Sequence, residues 1–191
     1  MDKFIFEIEK LAPSEICKDV IQKFESDVRK QPGEMSRGVD KSVKDCTDLY
    51  SNTYEDWQPL CKDITQHVLQ GMVYYIDHLN ASELNRNNMI ESMFEGVKVS
   101  YPQIQKTSEG GFYDWHMDGR GQRMMTYILY LNDVEEDYGG TTDFSNGRSI
   151  IPKEGKLLLF PSSWSYIHTG KRLEKGFKYI ATGFIIAPFG N

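Results

Sequence analysis

Glu109-Gly-Gly-Phe-Tyr-Asp-Trp-His-Met-Asp118 packs a glycine turn, an aromatic strand and a His-x-Asp pair into ten residues. Successive side chains of a strand alternate faces, so His116 and Asp118 project to the same side. Gly119-Arg-Gly121 follows with a second turn, which sets the pair at the rim of a β structure, where a mouth opens. Outward from this stretch the chain continues in short strands. Residues 97–101 and 104–106 alternate before it, and 124–131, 156–160 and 178–186 are strand-like after it. Gly139-Gly140, Asn146-Gly147 and Glu154-Gly155 punctuate them as turns. Many short strands separated by turns predict a sandwich or jelly roll rather than a parallel sheet.

Upstream of about residue 95 the texture is helical. Residues 4–8 alternate as a short strand. Pro13-Ser14 then opens a segment in which Ile16, Val20, Ile21, Phe24 and Val28 recur at helical spacing, stopped by Gln31-Pro-Gly33. Residues 34–53 are polar and aperiodic and read as a loop long enough to act as a lid. Thr53-Tyr-Glu-Asp56 resembles a capping box, with Trp57, Leu60, Ile64, Val68, Met72 and Ile76 following at helical spacing and Pro59 tolerated in the first turns. A third helix is expected over residues 82–94. The fold class expected is α+β, mainly β. One domain covers residues 1–191: helical support over 1–95 and a β core over 96–191.

Composition limits the function classes. The chain has 191 residues, 39% hydrophobic and 26% charged, which suits one well-buried core. A formal charge of −6 argues against a general nucleic-acid binder. No stretch is long and apolar enough to span a membrane, and the first residues lack a signal-peptide layout. Cys17, Cys46 and Cys61 are odd in number, widely spaced and form no CxxC or zinc pattern, so they read as reduced structural thiols. A cytoplasmic location is expected.

The chain has four histidines. His168, in Tyr-Ile-His-Thr-Gly, lies fifty positions beyond Asp118, on a different strand. Together with His116 and Asp118 it makes two imidazoles and one carboxylate, a three-sided metal site with the opposite face open, the ligand set of non-haem Fe(II) oxygenases. Alone, His168 reads as a polar residue near the end of an aromatic strand. Lys178 begins the last strand, on the face of Ile180, Thr182, Phe184 and Ile186. A lysine directed inward needs an anionic partner. It reads either as a ligand for the carboxylate of a bound small molecule or as a solvent-facing strand-end lysine.

These residues, with Arg123-Met-Met-Thr126-Tyr-Ile-Leu-Tyr130-Leu-Asn-Asp-Val134, Gly139-Gly-Thr-Thr142-Asp-Phe144, Pro152-Lys-Glu-Gly155 and Leu159-Phe160, resemble the catalytic domain of the 2-oxoglutarate- and Fe(II)-dependent oxygenases, in particular the prolyl 4-hydroxylase-like branch. There the 2-oxoglutarate lysine lies ten residues after the distal histidine, the spacing of His168 and Lys178. The resemblance covers roughly residues 95–188 and implies a double-stranded β-helix (jelly roll) core preceded by supporting helices.

It also implies Fe(II) held by His116, Asp118 and His168, with 2-oxoglutarate and O2 as co-substrates, and it admits ascorbate as a reductant. Lys178 and Thr142 are implied to hold the distal carboxylate of 2-oxoglutarate. Tyr130 is implied as a pocket residue, while Arg123 reads either as a pocket residue or as a structural ion-pair partner. The reaction implied is hydroxylation of an unactivated C–H bond coupled to decarboxylation of 2-oxoglutarate. The retained Asp118 separates it from related halogenases, which carry a small residue there.

One departure stands out. The family's tyrosine about nine residues before the first histidine is replaced by Thr107, and Gln105, Tyr101 and Tyr127 are the candidates to take over its contact. Tyr113, Trp115, Trp164 and Tyr166 flank the ligands and read either as a wall for an apolar ring such as proline or as barrel packing. The expected partner is a prolyl peptide; the alternatives are a free amino acid or other small molecule, or a non-enzymatic cupin-like metal-binding module.

Overall fold

The computed structural model describes residues 2–82 and 88–188. Two antiparallel sheets face each other, as a jelly roll requires. The larger runs, in spatial order, Phe6–Ile8, Leu157–Pro161, Arg123–Tyr130, Phe177–Ile186, Gln103–Ser108, Thr47–Leu49 and Gln31–Pro32, with Lys98–Val99 pairing the end of Phe177–Ile186. The smaller runs Ser149–Ile150, Thr142–Phe144, His168–Gly170, Phe112–His116 and Lys44–Asp45.

Period-two alternation divides each long strand between two cores. Met125, Tyr127 and Leu129 of Arg123–Tyr130 face the helices, joining Ile104, Leu157, Leu159, Ala181 and Ile185. Ile128 and Tyr130 face inward, packing with Phe144, Ile150, Leu158 and Phe160 between the sheets. Fully burying such a side chain is worth about 1.5–3 kcal/mol, so a one-residue slip of register is strongly disfavoured.

The helices cover the outer face of the larger sheet. In Ser14–Ser26 the buried residues are Cys17, Val20 and Phe24, one stripe of a helix. Val28 does not belong to that stripe: the helix ends at Ser26, Asp27 turns extended with ψ 126°, and Val28 is 95% exposed. Helix Gln58–Asn80 starts with Pro59 in its first turn and buries Cys61, Ile64, Val68, Met72, Tyr75 and Leu79. The capping box expected before it does not form. Thr53 Oγ1 donates to Tyr50 O at 2.8 Å, while Asp56 pairs with Arg29 and Lys23 at 2.9 Å each. Met89–Phe94 is the third helix. Residues 83–87 of the helix expected over 82–94 lie outside the described residues.

The first half is less purely helical than its sequence suggests. Residues 34–53, expected as a loop, contain the two-stranded Glu34–Met35/Gly38–Val39 hairpin and supply Lys44–Asp45 and Thr47–Leu49 to the two sheets. Lys44 and Asp48, four residues apart and almost fully buried, form an ion pair at 2.6 Å.

Candidate active site

His168 and His116 are directly opposed on adjacent antiparallel strands of the smaller sheet, with ring centroids 4.2 Å apart. Asp118 lies two residues past the end of Phe112–His116. Its loop is drawn against the backbone of Ser162 at Gly119, where a Cβ would collide with the Ser162 carbonyl. The carboxylate thereby reaches both rings: His116 Nε2 to Asp118 Oδ1 is 3.7 Å and His168 Nε2 to Asp118 Oδ2 is 3.6 Å. One donor atom from each residue lies within 4.8 Å of the others.

The hydrogen bonds behind these groups fix their chemistry. His116 Nδ1 contacts Asp114 O at 2.7 Å and His168 Nδ1 contacts Tyr166 O at 3.1 Å. A carbonyl only accepts, so each Nδ1 carries the proton and each Nε2 turns a lone pair toward Asp118. Burial, followed by the neighbouring His168, pushes His116 down to about 4, which keeps that ring neutral at pH 7. Thr126 Oγ1 donates to Asp118 Oδ2 at 2.8 Å and contacts Ser162 Oγ at 2.9 Å, both hydroxyl residues being buried. Donor metals bind imidazole and carboxylate about 2.0–2.2 Å away, so three converging donors at this separation fit one divalent ion.

The three donors open on a cavity of about 750 Å³. In its depth Lys178 is 5% exposed, with Nζ donating to Gly140 O at 2.8 Å. That carbonyl is presented by the Gly139-Gly140 turn, where both residues have positive φ (71° and 69°). Burial pushes Lys178 down to about 8; Cys46 opposes the shift weakly. No carboxylate lies within ion-pair distance of Lys178 among the described residues. Thr142 pairs in register with Gly170, which lies beside the ammonium: a Cβ there would make ordinary contact with Lys178 Nζ at 3.6 Å.

A family model, the 2OG-Fe(II) oxygenase superfamily, matches residues 102–186. That match spans 85 of the chain's 191 residues, and over it the chain is similar to the prolyl-hydroxylase-like branch of that superfamily. It is 32% identical over 123 aligned positions to probable prolyl 4-hydroxylase 10 of Arabidopsis thaliana, covering 48% of this chain and 42% of the relative. A Xenopus tropicalis 2-oxoglutarate and iron-dependent oxygenase domain-containing protein 3 is 28% identical over 102 positions, covering 51% of this chain and 29% of that protein. The chain thus spans less than half the length of these curated relatives.

Solved structures of prolyl hydroxylases share the fold. A prolyl hydroxylase of Trichoplax adhaerens, in complex with a hypoxia inducible factor peptide fragment, superposes with TM-score 0.73 at 18% identity, over 96% of this chain and 84% of that one. A viral collagen prolyl hydroxylase of Paramecium bursaria Chlorella virus-1, in complex with 2OG, gives 0.68 at 19%, over 97% and 96%.

The cavity gathers His116, Asp118, His168, Lys178, Thr142, Tyr113, Trp115 and Arg123, as the sequence anticipates. Four expected residues lie elsewhere. Tyr127 is on the helix-facing side of its strand, its hydroxyl donating to Ser100 O at 2.9 Å, so it cannot reach a co-substrate. Tyr130 is buried between the sheets and donates to Thr142 Oγ1 at 2.7 Å; it orients Thr142 and does not line the cavity. Trp164 is 76% exposed and outside the lining, and Tyr166 packs against the inner core.

Arg123 finds no carboxylate side chain among the described residues: Nη1 donates to Asp118 O at 3.3 Å and the guanidinium lies 3.7 Å from the Phe184 ring centroid. The ion-pair alternative for it is not realised. Thr107 pairs in register with Lys178 and lines the cavity; of the residues considered to replace the family tyrosine there, only Gln105 shares that lining. Lys44, Cys46 and Gln103 were not anticipated. Their contacts converge on Asp48, which accepts from Lys44 Nζ at 2.6 Å, Gln103 Nε2 at 2.8 Å and Cys46 Sγ at 3.0 Å. Nothing local in an aperiodic polar stretch signals such a pair.

Proposed function

We propose that this chain is an Fe(II)- and 2-oxoglutarate-dependent dioxygenase that hydroxylates a prolyl residue in a peptide. One observation carries the reading. An open triad of two imidazole nitrogens and a carboxylate shares a cavity with a buried ammonium that has no carboxylate partner among the described residues. A structural metal site needs no such cation beside it, which disfavours the cupin-like alternative.

His116 and His168 would hold Fe(II) through Nε2 and Asp118 through its carboxylate, leaving the opposite face of the ion for co-substrate and O2. Bound there, the iron with 2-oxoglutarate supplies the oxidising chemistry, yielding succinate, CO2 and a hydroxylated product. The chain's own part is placement. The two backbone carbonyls hold both Nδ1 protons and keep the rings aimed. Thr126 fixes the rotation of the Asp118 carboxylate.

Thr142 and Gly170 lie two residues along their strands from Phe144 and His168, about 7 Å away. That span suits a five-carbon diacid reaching from the metal to Lys178. Tyr130, through Thr142, aims a hydroxyl at the same end. The apolar side chains Ile128, Ile180 and Phe184 line the cavity and limit water around the reacting C–H bond. Tyr113, stacked on His116 at 3.6 Å, and Trp115 would form the wall against which a pyrrolidine ring rests.

The peptide assignment is supported by the Trichoplax adhaerens hydroxylase, which carries a peptide fragment. Ascorbate is proposed as the reductant. We also propose that residues 1–191 act as one domain, since strands from 6–8, 31–32 and 44–49 complete both sheets. No helix among the described residues is long and apolar enough to cross a membrane. The cytoplasm is proposed from the free thiols Cys17, Cys46 and Cys61.

Anaerobic titration of the Fe(II)-loaded protein with 2-oxoglutarate tests the reading. A weak visible charge-transfer band should develop, and succinate should be released in air. Absence of both would end the oxygenase reading.

A further inference from the structure

Three cations at the cavity mouth have no task in binding the metal or its co-substrate. Arg37, Arg120 and Arg123 line the same cavity as the triad, and all three are exposed. Arg120 Nη2 donates to Ser36 Oγ at 2.7 Å, tying the loop after Asp118 to the Glu34–Met35/Gly38–Val39 hairpin that carries Arg37. Arg123 is held over Phe184 and against the Asp118 carbonyl, where the Asp118 carboxylate attracts it and Arg120 repels it.

Among the described residues none of the three has a carboxylate within ion-pair distance, whereas Arg29, Lys44, Arg148 and Lys156 are all paired. The contrast is pronounced in a chain of net charge −6, where carboxylates outnumber cations. Glu34 is the opposing charge at this mouth, and its field falls on Tyr50, beside the Lys44 pair.

The co-substrate does not account for these arginines. The formal charges of Fe(II), Asp118, Lys178 and a dianionic 2-oxoglutarate cancel, because the histidines bind as neutral rings. The three guanidiniums therefore face whatever enters above. Guanidinium forks match carboxylates in a planar, bidentate manner.

We infer that the mouth selects a peptide bearing acidic side chains beside the target residue, recognised by Arg37, Arg120 and Arg123. The inference rests on the prolyl-peptide reading above. Two separate chain segments supply the three cations, a spread that suits several carboxylates along a peptide better than the single carboxylate of a free amino acid. Trp115 and Met117, 52% and 55% exposed at the same mouth, supply apolar contact for the peptide between those charges. The cations also steer an acidic peptide in from solution, an effect that salt screens.

Proline peptides of one length, carrying Glu, Gln or Lys within three residues of the proline, test this. Binding is measured by calorimetric titration of the protein loaded with Mn(II) and 2-oxoglutarate, and hydroxylation by mass spectrometry with Fe(II). The Glu peptide should bind at least tenfold more tightly than the Lys peptide at low salt, with the ratio shrinking at 0.5 M salt. The double variant Arg37→Glu, Arg120→Glu should reverse the order while binding 2-oxoglutarate with unchanged affinity.

Equal binding of the Glu and Lys peptides overturns the inference, whether or not either is hydroxylated. A preference for Glu that survives charge reversal also overturns it. Turnover of free proline, suppressed in the double variant, with no binding of any peptide, assigns the arginines to a small carboxylate and overturns the peptide source. If acidic peptides bind in the expected order but no peptide is hydroxylated, the prolyl reading fails and the charge recognition stands.

Discussion

Removing the Lys178 ammonium should weaken 2-oxoglutarate binding by roughly two to three orders of magnitude, and raising the pH should mimic part of that loss. The side chain is 5% exposed, donates to one backbone carbonyl and is pushed down to about 8 by burial. The elements packed against it add little charge. Thr107, Thr142 and Gly170 are uncharged, burial pushes the Cys46 thiol well up, and Lys44 is already paired with Asp48. A carboxylate placed against the ammonium favours its charged form, so the bound-state pKa lies above the free-state value. The affinity is therefore fully present below pH 8 and lost as pH rises through it.

With a free-state value of about 8, the protonated fraction falls from about nine-tenths at pH 7 to about one-tenth at pH 9, a roughly tenfold rise in Kd. Lys178→Met leaves a buried carboxylate without a cation, a change that costs about 3–5 kcal/mol. Each 1.4 kcal/mol is about tenfold in Kd. The assay is anaerobic titration of metal-loaded protein at pH 7, 8 and 9, with metal affinity measured separately. A Lys178→Met variant that binds 2-oxoglutarate within threefold of the wild type would falsify the assignment. So would a wild-type Kd that does not move over this range.

Thr126→Val should lower Fe(II) affinity about tenfold or more by freeing the Asp118 carboxylate, with Thr126→Ser restoring it; competitive chelator titration reads both. Asp48→Ala leaves the Lys44 ammonium buried and unpaired, at a cost of about 3–5 kcal/mol, and should lower Tm by about 10 °C in a scanning calorimeter. Asp27 is held well below the usual carboxylate range by Arg29 and also accepts from Trp57 Nε1 at 2.8 Å. Its contribution to stability is present above about pH 4 and is lost as pH falls below that. Urea midpoints from pH 6 to pH 2 should therefore drop more steeply for the wild type than for Asp27→Asn, and parallel curves would refute the linkage.

Most of the site was legible because it depends on local geometry. A His-x-Asp pair next to glycine turns sits at a strand rim in any β fold, and alternation alone assigned Lys178 to one face with Ile180, Thr182 and Phe184, which line the cavity. Alternation says which residues share a face but not which face looks inward. Tyr127 was misplaced for that reason: the helices decide that Met125, Tyr127 and Leu129 turn outward while Thr126 turns toward Asp118. The same ambiguity affects the last strand, whose helix-facing residues Ala181 and Ile185 are the more deeply buried set.

By itself, then, the sequence carried the change of texture near residue 95, while its resemblance to a known family supplied His116, Asp118 and His168 as candidate metal donors and Lys178 beside them, since alternation alone left His168 and Lys178 a structural alternative. Tertiary structure decided what depends on distant partners. Val28 leaves the first helix because Asp27 receives the Arg29 backbone N–H and the Trp57 indole. Lys44–Asp45 and Thr47–Leu49 become strands because Phe112–His116 and Gln103–Ser108 offer open edges to pair with. The arginine-lined mouth exists because that hairpin is folded over the loop after Asp118. Pairing between segments tens of residues apart leaves no periodic trace in either one, so it becomes visible only once the chain has closed on itself.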